Sequence, residues 1–393
     1  MKLKSWLLIG VLLGAIAMSS GAAEAPSKSF LSVPPYLQAL SPDSVVVHWR
    51  TEVPSYGWVE YGLTRDLGQR QDEAQTFGLR QANQLQQRVV LKKLIPGTNY
   101  WYRICTKSIE SFGPYKVVFG PEIKSEIAPL HTLPAANQSI HVAIFNDQHL
   151  HLDIYRKLAK NAEAFPIDFS LFNGDCMTDL TTEPQAITNF ITYLQGVHAD
   201  VRPAMFVRGN HETRGAFARI LPSYVDWPNN LPYFAFNAGP VRFLVLDCGE
   251  DKADDHREYS GLVEFESFRD QETEWLKSEL KSPEWKKARW HVLVHHIPLY
   301  WDDADGTCSA TCLKRWGTLL AKARIDLAIN AHTHKRAFFE KGAIKNPYPV
   351  IVGGAFTPKN ATVMILQADP KELHLRMLNI EGKDVYPEFI KKK

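Results

Sequence analysis

The run Pro203-Ala204-Met205-Phe206-Val207-Arg208-Gly209-Asn210-His211-Glu212 decides how this chain is to be understood. Its first half is apolar and has the character of a buried strand. Its second half sets an amide oxygen, an imidazole and a carboxylate consecutively behind a glycine, at the carboxyl end of that strand, where open α/β sheets place their ligands. Such donors suit a metal and a phosphate. Taken alone, the same residues are explained as a Gly-Asn turn into a helix, with His211 and Glu212 capping it. The neighbouring segments separate the two explanations.

From residue 140 onward, apolar strands alternate with amphipathic helices, a pattern that predicts a sheet covered by helices on both faces. Strands are expected over residues 140–145, 167–172, 203–207, 290–294 and 326–329, and helices over 153–165, 183–195, 270–281 and 313–323. Residues 234–247 predict a hairpin turned at Ala238-Gly239-Pro240, and 349–380 predict further strands.

Five polar clusters follow these strands: Asp147-Gln148-His149, Gly174-Asp175, Gly209-Asn210-His211-Glu212, His295-His296-Ile297-Pro298 and Ala331-His332-Thr333-His334. Each has a plain structural explanation as a turn, a core histidine or a surface pair. Their conjunction in one domain does not, because together they supply carboxylate, amide and imidazole donors of the kind that bind zinc, manganese or iron.

The order of these clusters resembles that of the calcineurin-like metallophosphoesterases, with motifs D-x-H, G-D, G-N-H-E/D, a histidine before a proline, and G-H-x-H. The likeness spans residues 140 to about 336. It implies two metal ions, divalent or of mixed valence, with Asp147, His149 and His334 on the first, Asn210, His296 and His332 on the second, and Asp175 bridging. His296 is preferred to His295 because the family's ligand stands two residues before the proline. It also implies hydrolysis of a small phosphorylated substrate by a metal-bridging hydroxide, without a covalent intermediate. His211 would stabilise the transition state or protonate the leaving oxygen, oriented by Asp179, while Glu212 serves structure. Arg208, Arg214 and Arg336 lie close enough in sequence to these motifs to be candidates for contacting phosphate.

Residues 30–133 carry a different pattern of β-branched and aromatic runs separated by Pro, Gly, Ser and Asp, which predicts a small β-sandwich. Strands are expected at 44–50, 57–61, 87–91, 100–106 and 116–119. The segment LIPGTNYWYR (94–103) resembles the L-x-P-x-T-x-Y corner of fibronectin type III domains. With VPPYLQALSPDSVVVHW and WVEYG, it is similar to the N-terminal domain of purple acid phosphatases. The expected architecture is therefore an all-β fibronectin-III-like sandwich, a polar linker at 132–139, and a four-layer α/β metallophosphoesterase sandwich over 139–385. The lean toward phosphomonoesters over diesters of nucleotides or lipid head groups rests on the first domain. Two departures stand out. Thr178 occupies the position of the purple acid phosphatases' iron-binding tyrosine, so no tyrosinate colour is expected, and Ala331 replaces the usual glycine.

The 393 residues, 45% hydrophobic and 22% charged, suit two folded domains rather than disorder. Lys2 and Lys4, an apolar run from Trp6 to Met18 and small residues through Ala23 have the layout of a signal peptide over residues 1–23, predicting a secreted or periplasmic protein. Removing that segment takes the formal charge from +2 to 0, which leaves no basic excess for nucleic acid. Five cysteines are too few for a disulfide scaffold. Cys308 and Cys312 are placed to close a local disulfide in a loop, and Cys105, Cys176 and Cys248 are expected as buried, inert thiols. Insertions at 213–235 and 250–270 are expected to shape a pocket, with Tyr224, Trp227, Tyr233 and Trp301 as wall candidates.

Overall fold

The computed structural model describes residues 30–178, 180–301 and 306–393. The segment assigned to a signal peptide and the carboxylate Asp179 lie outside the described residues.

The first domain is a seven-stranded antiparallel sheet folded onto one apolar core. Its spine is Ser44–Gly62, whose first half pairs with Leu31–Ser41 and Gln84–Lys92 and whose second half pairs with Asn99–Phe112 and Gln69–Asp72. Two strands expected from sequence are thus one. Pro54 falls where the register against Gln84–Lys92 shifts, between Arg50 and Ser55, so it bends the strand without ending it. Val45, Val47 and Trp49 from one half meet Val59, Tyr100 and Tyr102 in the core. The Tyr100 hydroxyl accepts a hydrogen bond from the Ile95 amide at 3.0 Å, fixing the corner that Pro96-Gly97 turns.

The second domain has two six-stranded sheets. In the first, Ile140–Phe145 lies between a parallel neighbour, Phe169–Asn173, and an antiparallel one, Val363–Ala368, with Ala204–Val207 at one edge. In the second, Val241–Leu246, Trp290–His295, Leu327–Asn330 and Val350–Val352 run parallel, flanked by Phe234–Ala238 and Ala337–Phe339. The sheets pack face to face: Phe169 meets Phe236 and Phe243 with ring centroids 5.9 and 5.8 Å apart. Helices α1 (Leu152–Ala162) and α2 (Glu183–Gly196) cover the first sheet, while α3 (Phe265–Glu279), the short α4 (Pro283–Lys287) and α5 (Cys308–Lys322) cover the second. Four layers result.

Two helices begin five residues earlier than their apolar periodicity indicates, and capping explains both. Asp254 accepts from the amides of Phe265 and Glu266 at the start of α3, and the Thr307 hydroxyl accepts from the Ala310 amide at the start of α5. Cys308 and Cys312 therefore occupy a helix and not a loop, and all five cysteines are free thiols. Of the proposed pocket walls, Tyr224, Trp227 and Tyr233 are buried in the core, and only Trp301 is exposed. Tyr224 and Trp227 spend their polar ends on Glu183 and the Phe206 carbonyl, so their hydrogen bonding is directed inward.

The domains are joined by directed contacts. The Tyr36 hydroxyl donates to the Tyr224 carbonyl at 2.8 Å, the Tyr102 hydroxyl to the Asp200 carbonyl at 2.7 Å, and the Leu37 amide to the Ala199 carbonyl. Asp226, buried in the second domain, receives His48 and the Arg88 guanidinium (Nε at 2.8 Å) from the first. Burial pushes the Asp226 carboxyl up, but His48 and Arg88 outweigh it and hold it at about 2. Because the folded value is depressed, the stabilisation is present above the ordinary aspartate range and is lost as pH falls toward about 2. Asp226→Asn is expected to cost on the order of 3 kcal/mol, the scale for breaking a buried pair. Thermal melting at neutral pH would register this as a lower Tm, with the difference from wild type shrinking below pH 4.

Candidate metal centre

Every cluster named from the sequence stands on the carboxyl side of a strand, and the fold brings five of them to one place. Asp147 and His149 follow Ile140–Phe145, Asp175 follows Phe169–Asn173, Asn210 and His211 follow Ala204–Val207, His296 follows Trp290–His295, and His332 and His334 follow Leu327–Asn330. The backbone contorts to achieve this. Asp147, His149, Asp175, His332 and His334 all have positive φ, between 44° and 68°, a costly conformation for residues with side chains. Ala331 is not among the positive-φ residues, which is why alanine serves where the family uses glycine.

Ligand atoms of Asp147, His149, Asp175 and His334 lie within 4.8 Å of one another, and so do those of Asp175, His296 and His332. Asp175 belongs to both groups. Its Oδ2 is 3.0 Å from His296 Nε2 and 3.7 Å from His149 Nε2, while His332 Nδ1 is 2.9 Å from Asn210 Oδ1. His149 Nε2 and His334 Nε2 face each other at 3.0 Å. His296 Nδ1 donates to the Asn173 carbonyl at 2.8 Å, leaving the buried Nε2 without a well-directed hydrogen bond. Facing imidazole nitrogens and an orphaned, buried ring nitrogen between carboxylates are what a set of metal ligands leaves when the ion is set aside, so the residues fit a metal centre.

The electrostatics agree. Burial pulls His149 down to about 3 and His332 to about 4, and lowers His334 as well, so these imidazoles are neutral and able to ligate. Burial also lifts Asp147 to about 7, although His296 opposes the rise. Asp175 is pushed up by burial but ends below the ordinary range because His296, His211 and His149 surround it. His296 is lowered by burial, yet Asp175 and Asp147 outweigh that and raise it to about 10. The two carboxylates thus demand positive charge between them.

Around this centre the GNHE turn divides its labour. Glu212, fully buried, accepts from the amides of Asp175 (2.8 Å), Met177 (3.1 Å) and Gly209 (3.0 Å), tying two loops together. His211 donates its amide to Asp175 Oδ1 at 2.9 Å, and its Nδ1 donates to the Thr178 carbonyl at 2.6 Å. The orienting group seen for this imidazole is therefore a backbone carbonyl of the threonine that replaces tyrosine. Its Nε2 faces Arg214 Nη1 at 3.3 Å, and Arg214 is gripped by Glu250 and Asp251. Arg208 is tied to Asp247 at 2.7 Å. A Cβ on Gly209 would sit 2.3 Å from Asp175 Oδ1 and 2.8 Å from Glu212 Oε2. Gly209→Ala is expected to destabilise the fold by about 1–3 kcal/mol, as overpacking does, measurable as a reduced urea midpoint.

Two contributors carry no motif. Phe356, from the loop after Val350–Val352, stacks on His151 and meets His149 and His334 edge-on at 5.3 and 5.2 Å. Asn146 Nδ2 donates to Asp147 Oδ2 and to the Gly354 carbonyl, both at 2.7 Å, aiming the carboxylate. His295 is buried with its Nδ1 on the Ile297 carbonyl, apart from the ligand set. Of Phe356 and Asn146, only Asn146 has a sequence signal, its adjacency to the D-x-H triplet.

Two facing sheets thus gather carboxylate, amide and imidazole donors at their strand ends around a shared aspartate. The chain belongs to the calcineurin-like phosphoesterases, a family that matches residues 140–336, and its residues 32–117 match the purple acid phosphatase N-terminal domain. Acid phosphatase type 7 of Homo sapiens is 25% identical over 313 residues, covering 76% of this chain and 65% of that protein. Purple acid phosphatase 23 of Arabidopsis thaliana is 24% identical over 143 residues, covering 34% of this chain and 28% of its own length. The chain thus spans less than two thirds of either relative. Among solved structures, a purple acid phosphatase from yellow lupin (Lupinus luteus) seeds superposes with a TM-score of 0.67 at 16% identity, covering 91% of this chain and 74% of its own. PhoD superposes with a TM-score of 0.59 at 14% identity, covering 94% and 90% respectively. At these identities the structures establish the shared fold.

Proposed function

We propose that this protein is an exported, dinuclear-metal phosphoesterase that hydrolyses phosphomonoesters. The observation that carries the proposal is the place of Asp175 in both donor groups, which supports one carboxylate serving two ions. Asp147, His149, Asp175 and His334 would hold the first ion, and Asp175, Asn210, His296 and His332 the second. When bound, the pair supplies the Lewis acidity that activates water at neutral pH and neutralises phosphoryl oxygens. The chain's own residues do the rest. Asn210 contributes an uncharged oxygen, which limits the negative charge an incoming phosphate meets. His211, held by the Thr178 carbonyl and the Asp175 carboxylate, presents Nε2 beside the Arg214 guanidinium, where it can stabilise transition-state charge or deliver a proton to the leaving oxygen. Export rests on the amino-terminal sequence; among the described residues no helix is long and apolar enough to cross a membrane.

The preference for monoesters rests on the kinship of the first domain with purple acid phosphatases. It is tested by comparing p-nitrophenyl phosphate with its bis ester on protein whose metals have been counted. Faster turnover of the monoester supports the proposal, faster turnover of the diester assigns a phosphodiesterase, and no turnover of either with metal bound assigns a binding protein.

A further inference from the structure

Behind the metal centre, the fold brings one cysteine to a pair of others far along the chain. Cys248 follows Val241–Leu246, and Cys308 and Cys312 lie one turn apart at the start of α5. Their sulfur atoms lie within 4.8 Å of one another and all three side chains are buried. The Cys308 and Cys312 sulfurs are 3.7 Å apart. Four zinc–sulfur bonds of about 2.3 Å directed to the corners of a tetrahedron separate neighbouring sulfurs by about 3.8 Å. The Cys308–Cys312 pair has that spacing, and Cys248 lies within 4.8 Å of both.

A buried cation stands beside the cluster. Arg269, almost wholly buried, donates through Nε and Nη2 to the Cys248 carbonyl at 2.9 and 2.8 Å and through Nη2 to the Glu250 carbonyl at 2.8 Å, and its Nη2 stands 3.7 Å from Cys308 Sγ. Buried charge has to be compensated. Arg269 Nη1 is paired with the Glu266 carboxylate at 2.7 Å, so three buried thiolates, once deprotonated, would still need a cation among them. Soft sulfur donors select zinc over calcium, magnesium or manganese. His295 Nδ1, 3.9 Å from Cys248 Sγ, is committed to the Ile297 carbonyl at 2.7 Å and is not counted as a ligand.

We propose that Cys248, Cys308 and Cys312 bind a structural zinc ion, separate from the phosphoesterase centre and independent of its assignment. The site would pin the loop 247–251 to the first turn of α5. That loop carries Asp247 and Glu250, which hold Arg208 and Arg214, so the zinc would support the residues beside His211 without touching substrate.

The test is metal analysis of the full-length protein together with its Cys308→Ser/Cys312→Ser and Asp175→Asn variants. The wild type is expected to hold about one zinc per chain that resists mild chelation, and Asp175→Asn is expected to keep that zinc while losing other metal. The double cysteine variant is expected to lose it. Because that variant risks misfolding, cobalt-exchanged wild type provides a second measurement: thiolate ligation gives intense near-ultraviolet charge-transfer absorption, whereas oxygen and imidazole ligation does not. A disulfide among these cysteines in the unreduced peptide map, or the absence of both retained zinc and cobalt–thiolate absorption, would overturn the proposal.

Discussion

Asp175→Asn is expected to reduce phosphomonoester hydrolysis by at least about 10²–10³-fold, the scale on which deleting one preorganised electrostatic contact acts, and to lower the metal content of the phosphoesterase centre. The carboxylate stands between the two donor groups, with Oδ2 at 3.0 Å from His296 Nε2 and 3.7 Å from His149 Nε2. Asparagine preserves its shape, and the Asp175 amide would still donate to Glu212. What disappears is a negative charge and one oxygen donor at the point both ions would share. Metal analysis, activity and far-ultraviolet circular dichroism on the same sample separate this outcome from unfolding. Full activity with undiminished metal would remove Asp175 from its role.

His211→Ala is expected to show the complementary behaviour, keeping the metals and losing rate by about 10²–10⁴-fold, the range for a positioned general acid. The loss should be largest on an alkyl phosphate, whose leaving oxygen needs a proton, and smallest on p-nitrophenyl phosphate, whose leaving group departs as the anion. The imidazole is anchored through Nδ1 on the Thr178 carbonyl, while the contact with Asp175 is made by the His211 backbone amide, which alanine keeps. Its Nε2 has Arg214 as its neighbour, so removing the ring takes nothing from the ligand set. Equal losses on the two substrates would assign His211 to charge stabilisation rather than proton transfer, and unchanged rates on both would dismiss it from catalysis.

The legible parts of this chain are those in which one residue type does one job in one place. Residues 140–145 form a strand that is apolar at all positions except the half-buried His141, because a strand covered on both faces needs apolar residues along nearly its whole length. The five clusters are visible because carboxylate, amide and imidazole rarely recur after successive strands. By contrast, the orientation of His211 depends on the Thr178 carbonyl, a backbone group present at every residue and so without a sequence signal. Phe356 reaches the centre from a loop about 200 residues beyond Asp147, and only the folded sheet order brings it there. The cysteines show the same limit. Cys308 and Cys312 beside Gly306 have the look of a loop, while Thr307 caps a helix over them and the sheet carries Cys248 to their side.

The GNHE turn began as an ambiguous stretch and is resolved by its partners. Asn210 faces His332, His211 faces Arg214, and Glu212 turns inward to three backbone amides. The central claim, that Asp175 is shared by two ions, is tested most directly by anomalous diffraction from crystals of the metal-loaded protein. Two peaks are expected flanking the Asp175 carboxylate, one among Asp147, His149 and His334 and the other among Asn210, His296 and His332. A single peak, or two that leave Asp175 on only one of them, would contradict it.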